Sequence, residues 1–200
     1  MLTLYHRPRT RSSRFLWLFE ELGAPYELQI VTTRQGDGGG EVDPANPHPH
    51  GKVPALSDDG AIVFESPAIA LYLTDKFPAA RLGPVVGEAK RGPYLSWLVY
   101  YGSVMEPAFM SKFLNTPVPR GTAGWVVVEE AMEFVNATLS KNLYLLGEDF
   151  SAADVLYAST FAMFGQSPMM PKHAAVEDYV KRCVSRPAYV AAQAKENAAA

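Results

Sequence analysis

Residues 51–73 constrain the fold more than any other stretch of the chain. They run Gly51-Lys-Val-Pro-Ala-Leu56, then Asp58-Asp59-Gly60, then Phe64-Glu-Ser-Pro-Ala-Ile-Ala-Leu-Tyr-Leu73. Val53–Ser57 and Ala61–Phe64 read as short strands. The Asp-Asp-Gly between them signals a hairpin, because the tight hairpin turn needs positive φ values that Gly accepts. Ser66 is a favoured N-cap, and Pro67 suits the first helical position, where a missing N–H costs nothing. Ile69, Leu73 and Phe77 then mark one helical face, with Tyr72 and Lys76 beside it, until Pro78 ends the helix.

The segments on either side extend this pattern. Leu2–His6 reads as a strand and Arg7–Arg11 as a polar loop. Phe15, Leu18, Phe19 and Leu22 fall at i, i+3, i+4 and i+7, a strong helix signal, and Gly23 supplies the stop. Tyr26–Val31 reads as a second strand. Pro44, Pro47 and Pro49 forbid a long helix in Val42–His50. The order is β-α-β, a loop, then β-β-α. This is the thioredoxin-like order, so residues 1–78 are expected to form an α/β thioredoxin-like domain (βαβαββα). Residues 79–92, rich in Gly, Pro and small side chains, read as a linker. Residues 93–200 read as an all-α helical domain, with helices in Pro93–Leu114, Thr122–Leu143, Ser151–Phe164, Ala174–Val184 and Pro187–Lys195. Ala198–Ala200 is expected to fray.

Composition excludes several classes of function. The chain has 200 residues, 48% of them hydrophobic, which is ample for a packed core. A net charge of −3 gives no electrostatic case for nucleic acid or an anionic membrane surface. One cysteine, Cys183, allows no intrachain disulfide, no Cys-x-x-Cys pair and no cysteine zinc cluster. A reducing, cytoplasmic home fits that usage, and Cys183 reads as a small buried hydrophobe. The start leads directly into a strand, so no signal peptide is expected. No apolar run approaches the roughly 18 residues of a membrane span. Gly36–Gly40 does not match a phosphate-binding glycine fingerprint. His48 and His50 stand among prolines without a second ligand cluster, so no metal is expected.

Four motifs carry possible chemistry, each beside a plainer reading. A proline opening a buried strand cannot donate to the sheet and often takes the cis form. Val53 would then show its N–H and C=O to an extended ligand, by one-residue strand addition; the plainer reading is a Pro at a strand start. Glu65-Ser66 could pair an ammonium with the acid and a carboxylate with the first helical turn, or Ser66 could simply cap. The Arg7–Arg14 loop brings Thr10, Ser12 and Ser13 to a helix N-terminus, where an anion is stabilised; there too a hydroxyl could merely cap. Ser151-x-x-Asp154 is a capping box, with Phe150 and Val155 placed as a staple, and is structural. The clamp formed by the first two motifs suits a small peptide with a free α-amine and α-carboxylate.

Taken together, four blocks in order resemble the cytosolic glutathione transferase superfamily, in its bacterial and fungal form. They are Ser13-Arg14-Phe-Leu-Trp-Leu-Phe-Glu-Glu-Leu-Gly23, Asn46-Pro-His-Pro-His-Gly-Lys-Val-Pro54, Glu65-Ser66, and Leu146-Gly147 with Phe150-Ser-Ala-Ala-Asp154. The resemblance implies that Val53, ahead of a cis Pro54, bonds the cysteinyl backbone of glutathione. It implies that Glu65 and Ser66 hold the γ-glutamyl end, and that Lys52 and His50 face the glycine carboxylate. The thiol would lie at the start of the first helix, where Thr10, Arg11 and Ser12 are the candidates and Thr10 takes the place of the family's serine. An extra Pro-His within Asn46–Gly51 departs from the family pattern.

The implied reaction is thiolate activation for attack on small hydrophobic electrophiles. A free thiol ionises near pH 8.5. Bringing it to about 6.5 needs a thiolate preference of roughly 2.7 kcal/mol. A hydroxyl bond to the charged sulfur, about 1.5–3 kcal/mol, and a helix terminus, about 0.3–1 kcal/mol, supply that. Tyr100, Tyr101, Met105, Phe109 and Met110 are candidates for the electrophile pocket, against the plainer reading of aromatic core. Glutathione would be co-substrate, and a homodimer is implied by resemblance alone. Peroxide reduction, ether cleavage, isomerisation or a non-catalytic scaffold role would use the same glutathione clamp.

Overall fold

The computed structural model describes residues 1–34, 39–117, 119, 121–165, 167–168 and 170–199. Gly36 and Gly38 of the expected glycine-rich loop, and Ala200 at the chain end, lie outside the described residues. Contacts divide the chain into two compact units. One is Met1–Ala80 with Arg186–Ala200, and the other is Arg81–Ser185.

The first unit holds β1 (Leu2–His6), α1 (Ser13–Leu22), β2 (Glu27–Ile30), β3 (Ala55–Asp58), β4 (Ala61–Phe64) and α2 (Ser66–Lys76). The strands form one sheet in the order β2-β1-β3-β4. β1 and β2 run parallel, which requires a crossover, and α1 provides it. The other pairs are antiparallel. Asp59 and Gly60 both have positive φ, 48° and 91°, so a two-residue turn joins the paired Asp58 and Ala61. Gly23 ends α1 at φ 60°, with its N–H on the Glu20 carbonyl. The proline-rich stretch before β3 forms turns, so the helix that the βαβαββα pattern expects between β2 and β3 is not found among the described residues.

The last helix of the chain, Pro187–Ala199, groups with this unit and not with the helical one that the sequence suggests. It is α8 in chain order, after the five helices of the second unit given below. It runs through Ala198 and Ala199, where fraying was expected. Its contact with α1 is the most extensive between any two elements. That explains why Leu16 and Trp17, off the predicted apolar stripe of α1, are as buried as Phe15 and Leu18. Trp17 and Tyr189 meet edge to face at 5.0 Å. Arg186 grips Glu21 with two parallel bonds of 2.6 and 2.7 Å, and Lys195 pairs with Glu20.

The second unit contains α3 (Arg91–Tyr100), α4 (Glu106–Phe113), α5 (Val128–Leu139), α6 (Ala152–Phe164) and α7 (Ala174–Val184). Helices α3 and α4 are joined by a π-helical turn at Tyr101–Met105, closed from the Glu106 N–H to the Tyr101 carbonyl. Pro107 follows, and without an N–H it cannot serve the Ser103 carbonyl in α-register. The helix expected over Thr122–Leu143 is shorter. Val126 and Val127 lie exposed ahead of it, in a segment broken by Gly121 and Gly124.

Helix α6 is apolar nearly all round and buried accordingly. The expected capping box is present at its start. Ser151 donates its N–H and its hydroxyl to Asp154 Oδ2 at 2.8 and 2.9 Å. Asp154 Oδ1 accepts the Leu145 N–H and the Tyr179 hydroxyl, each at 3.0 Å. Burial pushes the Asp154 carboxyl up to about 6, with these bonds pulling the other way. Cys183 on α7 is fully buried. Among the described residues, no helix is long and apolar enough to cross a membrane.

Candidate functional site

Strand register brings the first three motifs to one end of the sheet. Tyr5 on β1 lies opposite Ala55 on β3, and Ala55 lies opposite Phe64 on β4. The chain therefore leaves β1 at His6, enters β3 from Val53-Pro54 and leaves β4 into Glu65-Ser66, all at the same edge. Both α1 and α2 start from loops at that edge, so their N–H-bearing ends face the same neighbourhood.

The Val53–Pro54 bond is cis, as the family resemblance implied. Val53 lies outside the ladder, and its N–H and C=O make no hydrogen bond among the described residues. The expected cap at α2 is corrected. Ser66 is the first helical residue and Glu65 occupies the N-cap position, with no side-chain cap bond. Glu65 is exposed and has φ 70° and ψ 125°, a conformation that L residues rarely take. The first intrahelical bond runs from the Ile69 N–H to the Glu65 carbonyl, so the Ser66 and Ala68 N–H groups precede it.

In the loop into α1, the Thr10 hydroxyl accepts the Ser12 N–H at 3.3 Å. Ser12 occupies the N-cap position without a side-chain cap bond. Its hydroxyl turns back to β1 instead, 2.8 Å from His6 Nδ1, and accepts the Arg7 N–H at 3.2 Å. Thr10 Oγ1 lies 2.8 Å from Ser12 Oγ and donates to the Arg7 carbonyl at 2.7 Å. Ser12 is buried, Thr10 is half-buried and Arg11 is exposed. Arg9 takes a left-handed φ of 59°. The arginines do not form one solvated face, since Arg14 is buried and Arg7 bonds the Thr33 hydroxyl.

Two residues that the sequence reading missed stand behind Ser12. His6 is fully buried, and its Nε2 lies 3.3 Å from Glu196 Oε2 on α8. Glu196 also accepts the Ser13 hydroxyl at 2.8 Å and the Arg9 N–H. Burial would raise its carboxyl, but the bonds from His6, Arg9 and Ser13 outweigh that and hold it below the ordinary range. An inward position at the end of β1 was the one signal for His6. Nothing in the local sequence marks Glu196.

The 46–52 loop is held by its own polar atoms. Asn46 bonds the Lys52 carbonyl and the His48 N–H, and His48 Nδ1 accepts the His50 N–H. His48 is buried against the Phe64 ring, while His50 and Lys52 point to solvent. Burial, aided by the His50 and Lys52 charges, lowers the His48 pKa against the pull of Glu65.

Of the pocket candidates, Tyr101 and Met105 are committed to the core of the second unit. The Tyr101 hydroxyl lies 2.7 Å from both Thr160 Oγ1 and Glu106 Oε1. Tyr100 and Phe109 are partly exposed and Met110 is exposed.

Comparison with known proteins is consistent with this geometry. A family model described as "Glutathione S-transferase, N-terminal domain" matches residues 10–76, and one described as "Glutathione S-transferase, C-terminal domain" matches residues 127–187. Glutathione S-transferase GstA of Escherichia coli O157:H7 is 31% identical over 76% of this chain and 77% of its own. A glutathione transferase structure from Methylococcus capsulatus superposes with a TM-score of 0.80, at 26% identity, covering 98% of this chain and 99% of that one. A sphingomonad glutathione S-transferase complexed with glutathione gives a TM-score of 0.76 at 28% identity, covering 98% of each chain.

Proposed function

The chain belongs to the glutathione S-transferase family, and from that premise we propose that it ionises the glutathione thiol for transfer to small hydrophobic electrophiles. The observation that carries this reading is the convergence at one sheet edge. Unpaired backbone at Val53, the exposed Glu65 and the open start of α2 lie at the edge from which the Thr10 loop enters α1. In this reading Val53 pairs with the cysteinyl backbone. Glu65 binds the γ-glutamyl ammonium, and Ser66 with the first N–H groups of α2 binds the γ-glutamyl carboxylate. His50 and Lys52 face the glycine carboxylate. Thr10 donates to the sulfur, since Ser12 is buried behind it and Arg11 supplies positive charge from outside. The electrophile is assigned to the α3–α4 surface presented by Tyr100, Phe109 and Met110, with Tyr101 and Met105 as the core beneath. A homodimer belongs to the same reading.

Thr10→Ala is the test. Bound thiolate, read by its ultraviolet absorbance, should fall, with turnover of an aromatic halide down about tenfold or more for a lost charge-assisted bond. The KM for glutathione should stay within about twofold, because that bond is made chiefly to the charged sulfur. Retention on immobilised glutathione without turnover of any electrophile would sink the transferase reading. Passage through the column unretained would sink glutathione binding itself.

A further inference from the structure

We propose that His6 receives the glutathione thiol proton through Ser12 and Thr10, with Glu196 on α8 holding the resulting imidazolium. This rests on the glutathione reading above and adds to it the proton's destination, which a hydroxyl by itself does not provide. The Thr10 and Ser12 hydroxyls cannot hold an additional proton at neutral pH. A thiolate bonded to them alone would leave its proton to bulk water.

The geometry supplies a chain. Glu196 Oε2 and His6 Nε2 are buried and stand 3.3 Å apart, within ion-pair distance, and neither atom makes a hydrogen bond among the described residues. A carboxylate can only accept, so the neutral imidazole carries its proton on Nε2 and leaves Nδ1 as an acceptor. Nδ1 is 2.8 Å from Ser12 Oγ, and Ser12 Oγ is 2.8 Å from Thr10 Oγ1. Ser12 therefore directs its hydroxyl proton to His6 rather than to the Arg7 carbonyl at 3.2 Å, and Thr10, whose proton rests on the Arg7 carbonyl at 2.7 Å, turns it to Ser12 as the thiol proton arrives. Thr10 is the one member of the chain that reaches solvent, while His6 and Ser12 are each 0% exposed.

The proton balance closes without any co-reactant. The thiol proton moves to Thr10 Oγ1 as the Thr10 proton moves to Ser12 Oγ and the Ser12 proton moves to His6 Nδ1. The S–H electron pair stays on sulfur. Each bond in the chain has then reversed direction. Imidazolium donates to Ser12, Ser12 to Thr10, and Thr10 to the thiolate. Glu196 neutralises the new buried charge, and the bonds it accepts from Ser13 and the Arg9 N–H hold it ionised for that role. When the thioether product leaves, the proton returns outward by the same hydroxyls to the leaving group or water. His6 and Glu196 never touch the sulfur and act through Ser12.

The test is nitrogen NMR on the full chain labelled with 15N-histidine. The four histidines are assigned with a His6→Gln sample. Ligand-free protein should show neutral His6 protonated on Nε2. Saturating glutathione should move both His6 nitrogens into the protonated range, and S-methylglutathione, which binds without a thiol proton, should not. The proposal is overturned if calorimetry shows glutathione bound while His6 stays neutral. It is equally overturned if His6 is already charged without ligand, or if S-methylglutathione produces the same change. Absence of glutathione binding altogether would instead remove the transferase reading, and the relay with it. Glu196→Gln should lower kcat at least about tenfold, within the range of a lost proton-transfer partner, with the KM for glutathione within twofold. The wild-type nitrogen spectrum decides the matter independently of any effect of that variant on folding.

Discussion

Glu65 carries backbone strain at the start of α2. Its φ of 70° with ψ 125° suits glycine, and its side chain makes no hydrogen bond or ion pair among the described residues. A non-glycine residue held there costs of order 1–3 kcal/mol. Glu65→Gly should therefore stabilise the protein by about 1 kcal/mol in urea unfolding, after allowing for the extra chain entropy of glycine. Glu65→Ala should not. Both should raise the KM for glutathione by about tenfold or more, the loss expected for one charge-assisted bond. Equal unfolding midpoints for the two variants would show that the backbone there is unstrained.

At the scale of elements, α6 depends on its capping box more than on propensity. Ser151→Ala should cost about 1 kcal/mol, the usual loss for a cap. Asp154→Ala should cost about 3 kcal/mol, because it orphans the buried donors of Leu145, Ser151 and Tyr179. The second loss should depend on pH. Burial holds the Asp154 carboxyl near 6, above its unfolded value of about 3.9. Its proton-linked stabilisation is thus fully present below about pH 4 and is lost as pH rises through about 6. Denaturant unfolding at pH 4 and pH 7 should show the larger destabilisation at pH 4. At the same scale, Pro107 sets a π turn into what the sequence presents as one long helix. Composition reports that a helix is present, and the missing N–H of one proline decides its register.

For the molecule as a whole, the grouping of α8 with the first unit has the largest consequence. Cutting the chain after Ser185 removes Tyr189 from Trp17, Arg186 from Glu21 and Glu196 from His6. It uncovers side chains of α1 that are fully buried in the complete chain. The truncated protein should lose the cooperative melting of the first unit and bind a hydrophobic dye, as circular dichroism and fluorescence would show. A truncated chain melting like the full one would contradict that role for α8. The cis Val53–Pro54 bond was implied by the family resemblance alone, since X-Pro bonds are mostly trans. The β-α-β and β-β-α order, the hairpin at Asp59-Gly60 and the α6 cap were legible in the sequence. Each follows from steric or hydrogen-bonding preferences of residues close together in the chain. Four short blocks likewise sufficed for the family. The N-cap position of Glu65, the inward turn of Ser12 and the pairing of His6 with Glu196 were not legible. The last two join groups far apart along the chain or choose among hydroxyls of equal local propensity, so contacts of α8 with the β1–α1 segment decide them, while the first is a choice between adjacent residues that the backbone at Glu65 settles. The sequence by itself determined the order of the elements and the family; the tertiary structure decided which buried groups stand behind the Thr10 hydroxyl, because burial and charge pairing exist only once distant segments meet.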